Sequence, residues 1–90
     1  MAVYRVEFTK SAKREFDDLS TTIQEKVLEA LGFLSQNPFS DFLRIKKLKG
    51  AATLYRIRVG DYRVVYEIRG TTLVIVVIKI GHRREVYRRF

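Results

Sequence analysis

Two runs of alternating apolar and polar residues stand on either side of Gly60-Asp61: Tyr55-Arg-Ile-Arg-Val59 before it and Tyr62-Arg-Val-Val-Tyr66 after it. Alternation at period two reads as β-strand, and a two-residue loop with Gly first suits a type II′ hairpin turn. That register sets Val59 against Tyr62, Arg58 against Arg63, Ile57 against Val64, Arg56 against Val65 and Tyr55 against Tyr66. One face of the hairpin then carries Tyr55, Ile57, Val59, Tyr62, Val64 and Tyr66, and the other carries Arg56, Arg58 and Arg63. Upstream, Val3 to Phe8 also alternates, with Tyr4, Val6 and Phe8 on one side, and predicts a short first strand. Thr9 or Ser11 can cap a helix in which Ala12, Phe16 and Leu19 recur at i, i+4 and i+7. Ser20-Thr21-Thr22 interrupts it. Thr22 and Glu25 make a capping-box signature for a second helix, with Ile23, Val27, Ala30, Leu31 and Leu34 on one stripe. Asn37-Pro38 ends that helix.

The connection over residues 38–50 is rich in anchors. Phe39, Phe42, Leu43, Ile45 and Leu48 are expected to pin it to the core, while Lys46, Lys47 and Lys49 project. A short edge strand would use such lysines as protection against mispairing, and the same lysines suit contact with phosphate. After a second turn near Arg69-Gly70-Thr71, residues Thr72 to Ile80 are apolar on both faces, as a strand paired on both sides would be. Its neighbours are then the Tyr62–Ile68 strand and the N-terminal strand. The tail from Gly81 to Phe90 carries four arginines and the chain's one histidine. The expected architecture is α+β: an N-terminal strand and a two-helix antiparallel hairpin packed on one face of a mainly antiparallel four- to five-stranded sheet. Residues 1–90 are expected to form a single domain.

Charge sharpens this picture. Residues 1–43 hold five Lys/Arg against seven Asp/Glu, a net of −2, and residues 44–90 hold thirteen against three, a net of +10. A faintly acidic helical half and a strongly basic sheet half point to a positive working surface, for which nucleic acid is the leading partner. Like charges set opposite one another across a sheet are unfavourable. Three arginines on one face therefore suggest a missing anion, phosphate above all, with a merely solvated face as the plain alternative. No apolar signal core or membrane-length apolar run is seen, which predicts a cytoplasmic protein without a membrane partner.

Most catalytic chemistries lack their residues. With no cysteine and a single histidine, and with only Asp61, Glu67 and Glu85 acidic in the basic half, metal and cofactor sites are not expected. Nor is a nucleophilic triad, a two-histidine nuclease or a glycine-rich phosphate loop. What remains is phosphoryl chemistry run by positive charge. Cleaving RNA without a metal needs a proton taken from the 2′-OH, a stabilised pentavalent phosphate, and a proton given to the leaving 5′-oxygen. Arginines do the second task well, but with a pKa above ~12 they are poor bases.

The chain from Lys46 onward resembles the RelE family of toxins. The resemblance lies in Lys47-Leu48-Lys49-Gly50, Tyr55-Arg-Ile-Arg, Asp61-Tyr-Arg-Val-Val-Tyr, and Gly81-His-Arg followed by Glu85-Val-Tyr87. It implies a small α+β toxin that cleaves messenger RNA in the ribosomal A site and is blocked by a cognate antitoxin. The partners implied are thus the antitoxin, the ribosome and mRNA, with the free toxin expected to be monomeric. Residue by residue, the resemblance puts Arg56 in a phosphate-stabilising role and Arg58 at the general-base position. Arg63 falls on the transition-state arginine, Arg83 on the general acid, and Tyr87 on the tail tyrosine that stacks on substrate. Lys46, Lys47, Lys49, His82, Arg84 and Arg88 are the further RNA-binding candidates. Well-studied members carry lysine where Arg56 and Arg58 stand, so His82, the chain's only histidine, is an alternative acid or base, imidazole being the usual side chain for that work, or else a turn-stabilising residue. Tyr87 is either a stacking residue or a tail aromatic packed on the core. Two other functions stay open: a ParE-like gyrase inhibitor, or an RNA-binding domain that cuts nothing.

Overall fold

A computed structural model describes residues 3–39, 45–48 and 54–85 of the chain. In order they form β1 (Arg5–Phe8), α1 (Lys10–Asp17), α2 (Thr21–Gln36), β2 (Lys46–Lys47), β3 (Leu54–Val59), β4 (Tyr62–Arg69) and β5 (Val74–His82). The strands make one five-stranded sheet in the order β1-β5-β4-β3-β2, antiparallel except for the parallel β1–β5 pair. The expected α+β architecture is therefore the observed one, and β5 does lie between β4 and the N-terminal strand.

Both helices begin on a hydroxyl. Thr9 accepts the Ala12 N–H at the start of α1, and Ser20 accepts the Ile23 N–H at the start of α2. The second helix thus starts two residues before the capping box read at Thr22, because Ser20 already satisfies one of the unpaired amides of the first turn. Ala12 buries one face of α1, and Val27, Leu31 and Leu34 bury one stripe of α2. These pack on Ile57, Val59, Val64, Tyr66, Ile75, Val77 and Ile80 of the sheet, with Phe16, Leu19, Ile23 and Ile45 closing the margins. Phe39 departs from its expected role as a core anchor. It is 63% exposed, with its ring edge-on to that of Tyr55 at 6.5 Å between centroids. Phe42 and Leu43 lie outside the described residues.

Two boundaries of β5 differ from the sequence pattern. The strand begins at Val74 rather than Thr72, because Leu73 takes a left-handed conformation with φ 55° and its carbonyl accepts the Arg5 N–H at 2.8 Å. It also runs past Ile80 to include Gly81 and His82, which pair with Arg63 and Tyr62. Between those ends the register slips: Lys79 faces Val65 but Val77 faces Tyr66, which leaves Ile78 as an extra residue. Such bulges re-aim side chains. Here the Lys79 ammonium meets Glu15 of α1 at 2.7 Å, and the second Glu15 oxygen accepts the Ile80 N–H at 3.0 Å.

Tyr66 is fully buried beneath the helices, stacked on Tyr55 at 6.0 Å, and its hydroxyl has no hydrogen-bond partner among the described residues. Burial pushes its phenol well above the ordinary tyrosine value, with the neighbouring Tyr55 adding to the effect. A hydroxyl buried unsatisfied costs about 1–3 kcal/mol. Tyr66→Phe is therefore expected to raise the melting temperature at neutral pH. The alkaline sign follows from proton counting. Above a pH of about 10 the unfolded phenol loses its proton while the folded one keeps it, so the tyrosine's share of stability falls as pH rises. Urea unfolding of both proteins from pH 7 to 11 should show the wild type losing more stability than Tyr66→Phe.

Candidate nucleic-acid interface

The site is built by the parity of β3 and β4. Their register pairs Val59 with Tyr62, Arg58 with Arg63, Ile57 with Val64, Arg56 with Val65 and Tyr55 with Tyr66. It follows from a two-residue turn in which Gly60 has φ 60° while Asp61 does not share the positive sign, the type II′ pattern. Because Ile57, Val59, Val64 and Tyr66 belong to the core under the helices, Arg56, Arg58 and Arg63 share the opposite face. The three guanidiniums do stand on one side of the sheet.

Two cationic rows cross that face. The first row, nearest the turn, holds Arg58 on β3, Arg63 on β4 and then Gly81 on β5, which adds no side chain. Arg63 curls along the turn, donating from Nη1 to the carbonyls of Tyr62 at 3.0 Å and Gly60 at 3.3 Å. Arg58 is exposed. The second row holds Lys46 on β2, Arg56 on β3 and Val65 on β4. Two residues of strand separate the rows, a spacing of about 6.8 Å. Further along β4, Glu67 takes Arg69 at 2.6 Å, and this hydrogen bond and the adjacent charge hold the guanidinium above its usual value. Arg58, Arg63 and Arg83 all belong to the other, hairpin end of β4.

Arg83 joins this end through its backbone. Its N–H donates to the Asp61 carbonyl at 2.7 Å, while its exposed guanidinium lies 4.0 Å from the Asp61 carboxylate, a contact worth little in solvent. The main chain thus delivers Arg83 to the turn that separates Arg58 from Arg63 and leaves its side chain exposed there. Asp61 has this tethering role, which its place in a turn motif did not disclose. Glu15 is the other residue missed. By capping the Ile80 N–H it holds the end of β5 from which Gly81, His82 and Arg83 follow, and only the bulge at Ile78 makes that contact.

Other candidates fall elsewhere. Lys47 pairs with Tyr55 and His82 with Tyr62, so by register both belong to the tyrosine-bearing face rather than with the arginines. The His82 ring stands edge-on to Tyr62 at 5.7 Å, and its Nδ1 accepts the Arg84 N–H at 3.3 Å, which is the geometry of a residue fastening a turn. Arg84 is exposed. Lys49, Tyr87 and Arg88 lie outside the described residues.

Comparison with known proteins bears on the family and the fold. The sequence model of the family described as "ParE toxin of type II toxin-antitoxin system, parDE" matches residues 6–87. The chain is 31% identical to the putative toxin RelE1 of Methanocaldococcus jannaschii, over 94% of this chain and 96% of that one. It is 30% identical to the mRNA interferase toxin RelE of Escherichia coli strain K12, over 93% and 90% of the two chains. Among solved structures, the archaeal RelE-RelB complex from Pyrococcus horikoshii OT3 superposes with a TM-score of 0.80 at 30% identity, covering 96% of this chain and 100% of that one.

The clamp on β5 gives a direct test of how the site is held. Glu15→Ala strands the Ile80 N–H and the Lys79 ammonium, both part-buried, and is expected to cost about 1–3 kcal/mol. Hydrogen exchange should show the protection loss concentrated at the Ile80 end of β5 rather than spread over the helices.

Proposed function

The chain belongs to the RelE/ParE family of type II toxins, and on that premise we propose that it is the toxin of a toxin–antitoxin module, an endoribonuclease that cuts messenger RNA in the ribosomal A site and so stops translation. Residues 1–90 act as a single toxin domain, and the place of action is the cytoplasm, where message and ribosomes meet. The observation that carries the reading is that Arg58 and Arg63 share the sheet face away from the helices, while the backbone of Arg83 is tied to the turn that joins their strands.

The reaction moves a proton off a 2′-hydroxyl, joins that oxygen to phosphorus and releases the 5′-oxygen with a proton added. Charge on the phosphoryl oxygens grows as the pentavalent state forms, and fixed cations aimed at that charge lower the barrier. Arg63, held by two carbonyls of the turn, is the fixed cation. Arg58 stands across from it, where it aligns the attacking 2′-oxygen and stabilises its negative charge; guanidinium groups stay protonated in proteins and so make poor bases. Arg83 approaches from the end of β5 toward the leaving oxygen. Arg56 and Lys46 bind the backbone of the message, and Tyr87 supplies the stacking surface for a base, an interaction of roughly 1–3 kcal/mol in other proteins. Metal ions have no assigned step, since the basic half offers only one histidine and three scattered carboxylates as ligands.

The partner that restrains this activity is an antitoxin. The Pyrococcus horikoshii relative was solved as a RelE-RelB complex, and a chain at +8 gains from an acidic or amphipathic segment laid across its basic face. The free toxin is monomeric in this reading.

Primer extension on a translated message should find cleavage at A-site codons. Arg63→Ala and Arg83→Ala should each lower the rate by about 10²–10³-fold, the usual loss for one preorganised charge-stabilising group. Loss of gyrase activity with the message intact would instead favour the ParE-like reading. Expressed alone the toxin should arrest growth, and coexpression of the acidic partner should restore it; a stable homodimer on sedimentation of the purified toxin would contradict the monomer.

A further inference from the structure

Arg56 is the one charged residue among the described residues that is buried, at 8% exposure. Its Nε is shut from solvent and has no hydrogen-bond partner, and no carboxylate among the described residues pairs with its guanidinium. A cation withdrawn from water without an acceptor is costly, and the cost is recovered only when an anion arrives. Beside it stands Val65, fully buried, and directly across the edge pairing stands Lys46, exposed. Lys46 opposite Arg56 repeats the unfavourable juxtaposition of Arg58 opposite Arg63. The face thus carries two like-charge pairs, two residues apart along β3, and each is relieved by one anion between its members.

The separation of the rows, about 6.8 Å of strand rise, is what one nucleotide of an extended single strand spans from phosphate to phosphate. The rows also differ in kind. In the first row Arg58 is exposed and Arg63 is half-buried against the turn, to which the backbone of Arg83 is also tied. Arg56 is recessed, and only the end of its guanidinium is open to a ligand. We propose that Lys46 and Arg56 form a second anion subsite, which holds the internucleotide phosphate next to the one being cut and thereby sets which bond lies at Arg63. This rests on the nuclease reading and adds to it that the minimal substrate is a strand with two consecutive phosphates. Because the recessed guanidinium sits in a poorly solvated position, its hold on that phosphate is strong and its geometry fixed. The subsite therefore acts through binding and register rather than through the chemical step.

Synthetic messages on programmed ribosomes test this, with an uncharged methylphosphonate replacing the phosphate on either side of the scissile one. The wild type should lose about tenfold or more in kcat/KM at one of these positions, the loss of a charge-assisted contact, with KM carrying the change. Arg56→Gln and Lys46→Ala should be slower on the unmodified message yet nearly indifferent to that methylphosphonate. Lys46 is exposed on an edge, so its variant keeps the test open if Arg56→Gln folds poorly. A parallel arm measures binding of the same strands carrying a 2′-deoxy nucleotide at the cut site, which cannot be cleaved. The same neutral linkage should weaken binding to the wild type but not to either variant. Equal affinity of the wild type for charged and neutral strands, or undiminished sensitivity in both variants, overturns the subsite. Failure to cut any message while the binding pattern holds would refute the nuclease reading and leave the subsite standing.

Discussion

Parity across one hairpin is the constraint on which the molecule depends. Side chains alternate across a strand, so a slip of one residue between β3 and β4 would exchange every inward residue for an outward one. Ile57 and Val64 would go to water, and the arginines would be driven under the helices. Gly60 prevents this by taking φ 60°, which closes the turn in two residues. The apolar set beneath α1 and α2 enforces the same register from the other side, since Val27, Leu31 and Leu34 have only that face to cover. Fold and site are thus specified by a single choice. A sequence change that damaged the register would lose both together.

The same arrangement separates two electrostatic duties. Acidic residues are spent on the helices, where Glu15 and Asp17 take Lys79 and Lys13, and at the far end of β4, where Glu67 takes Arg69. At the hairpin end the Asp61 carboxylate stays 4.0 Å from Arg83. Like charges are thus set across from one another where chemistry is proposed, a self-repulsion that the apolar core on the other side of the sheet offsets. An apolar layer and a cationic layer back to back explain why a domain of 90 residues can hold so concentrated a charge.

Much of this could be read from the chain, because local rules carried it. Alternation and the Gly60-Asp61 turn specify pairings for every residue from Tyr55 to Tyr66, and the helical stripe of Val27, Leu31 and Leu34 is legible from its spacing alone. The misses arose where tertiary contacts override local signals. Ser20 outcompeted Thr22 as a cap, since either hydroxyl suits the role and only the helix pair's turn decides between them. Leu73 takes a conformation that β-branched and bulky residues avoid, so nothing in its identity marked the true start of β5. His82 and Lys47 sit in basic segments, yet parity sends them to the tyrosine side. The Glu15 clamp is invisible in sequence because it joins residues more than sixty positions apart through a bulge at Ile78.

The placing of β1 beside β5 has a consequence for how the protein is made. The strand synthesised first pairs in parallel with the strand synthesised last, and β5 is also the bridge from β1 to the rest of the sheet. During translation, therefore, the nascent chain can close the helical pair and the hairpin but has no partner for its opening strand until residues 74–77 have cleared the exit tunnel. Arg83 emerges later still. The hairpin that carries Arg58 and Arg63 can thus close first, while the backbone tie that brings Arg83 to its turn waits for the last strand.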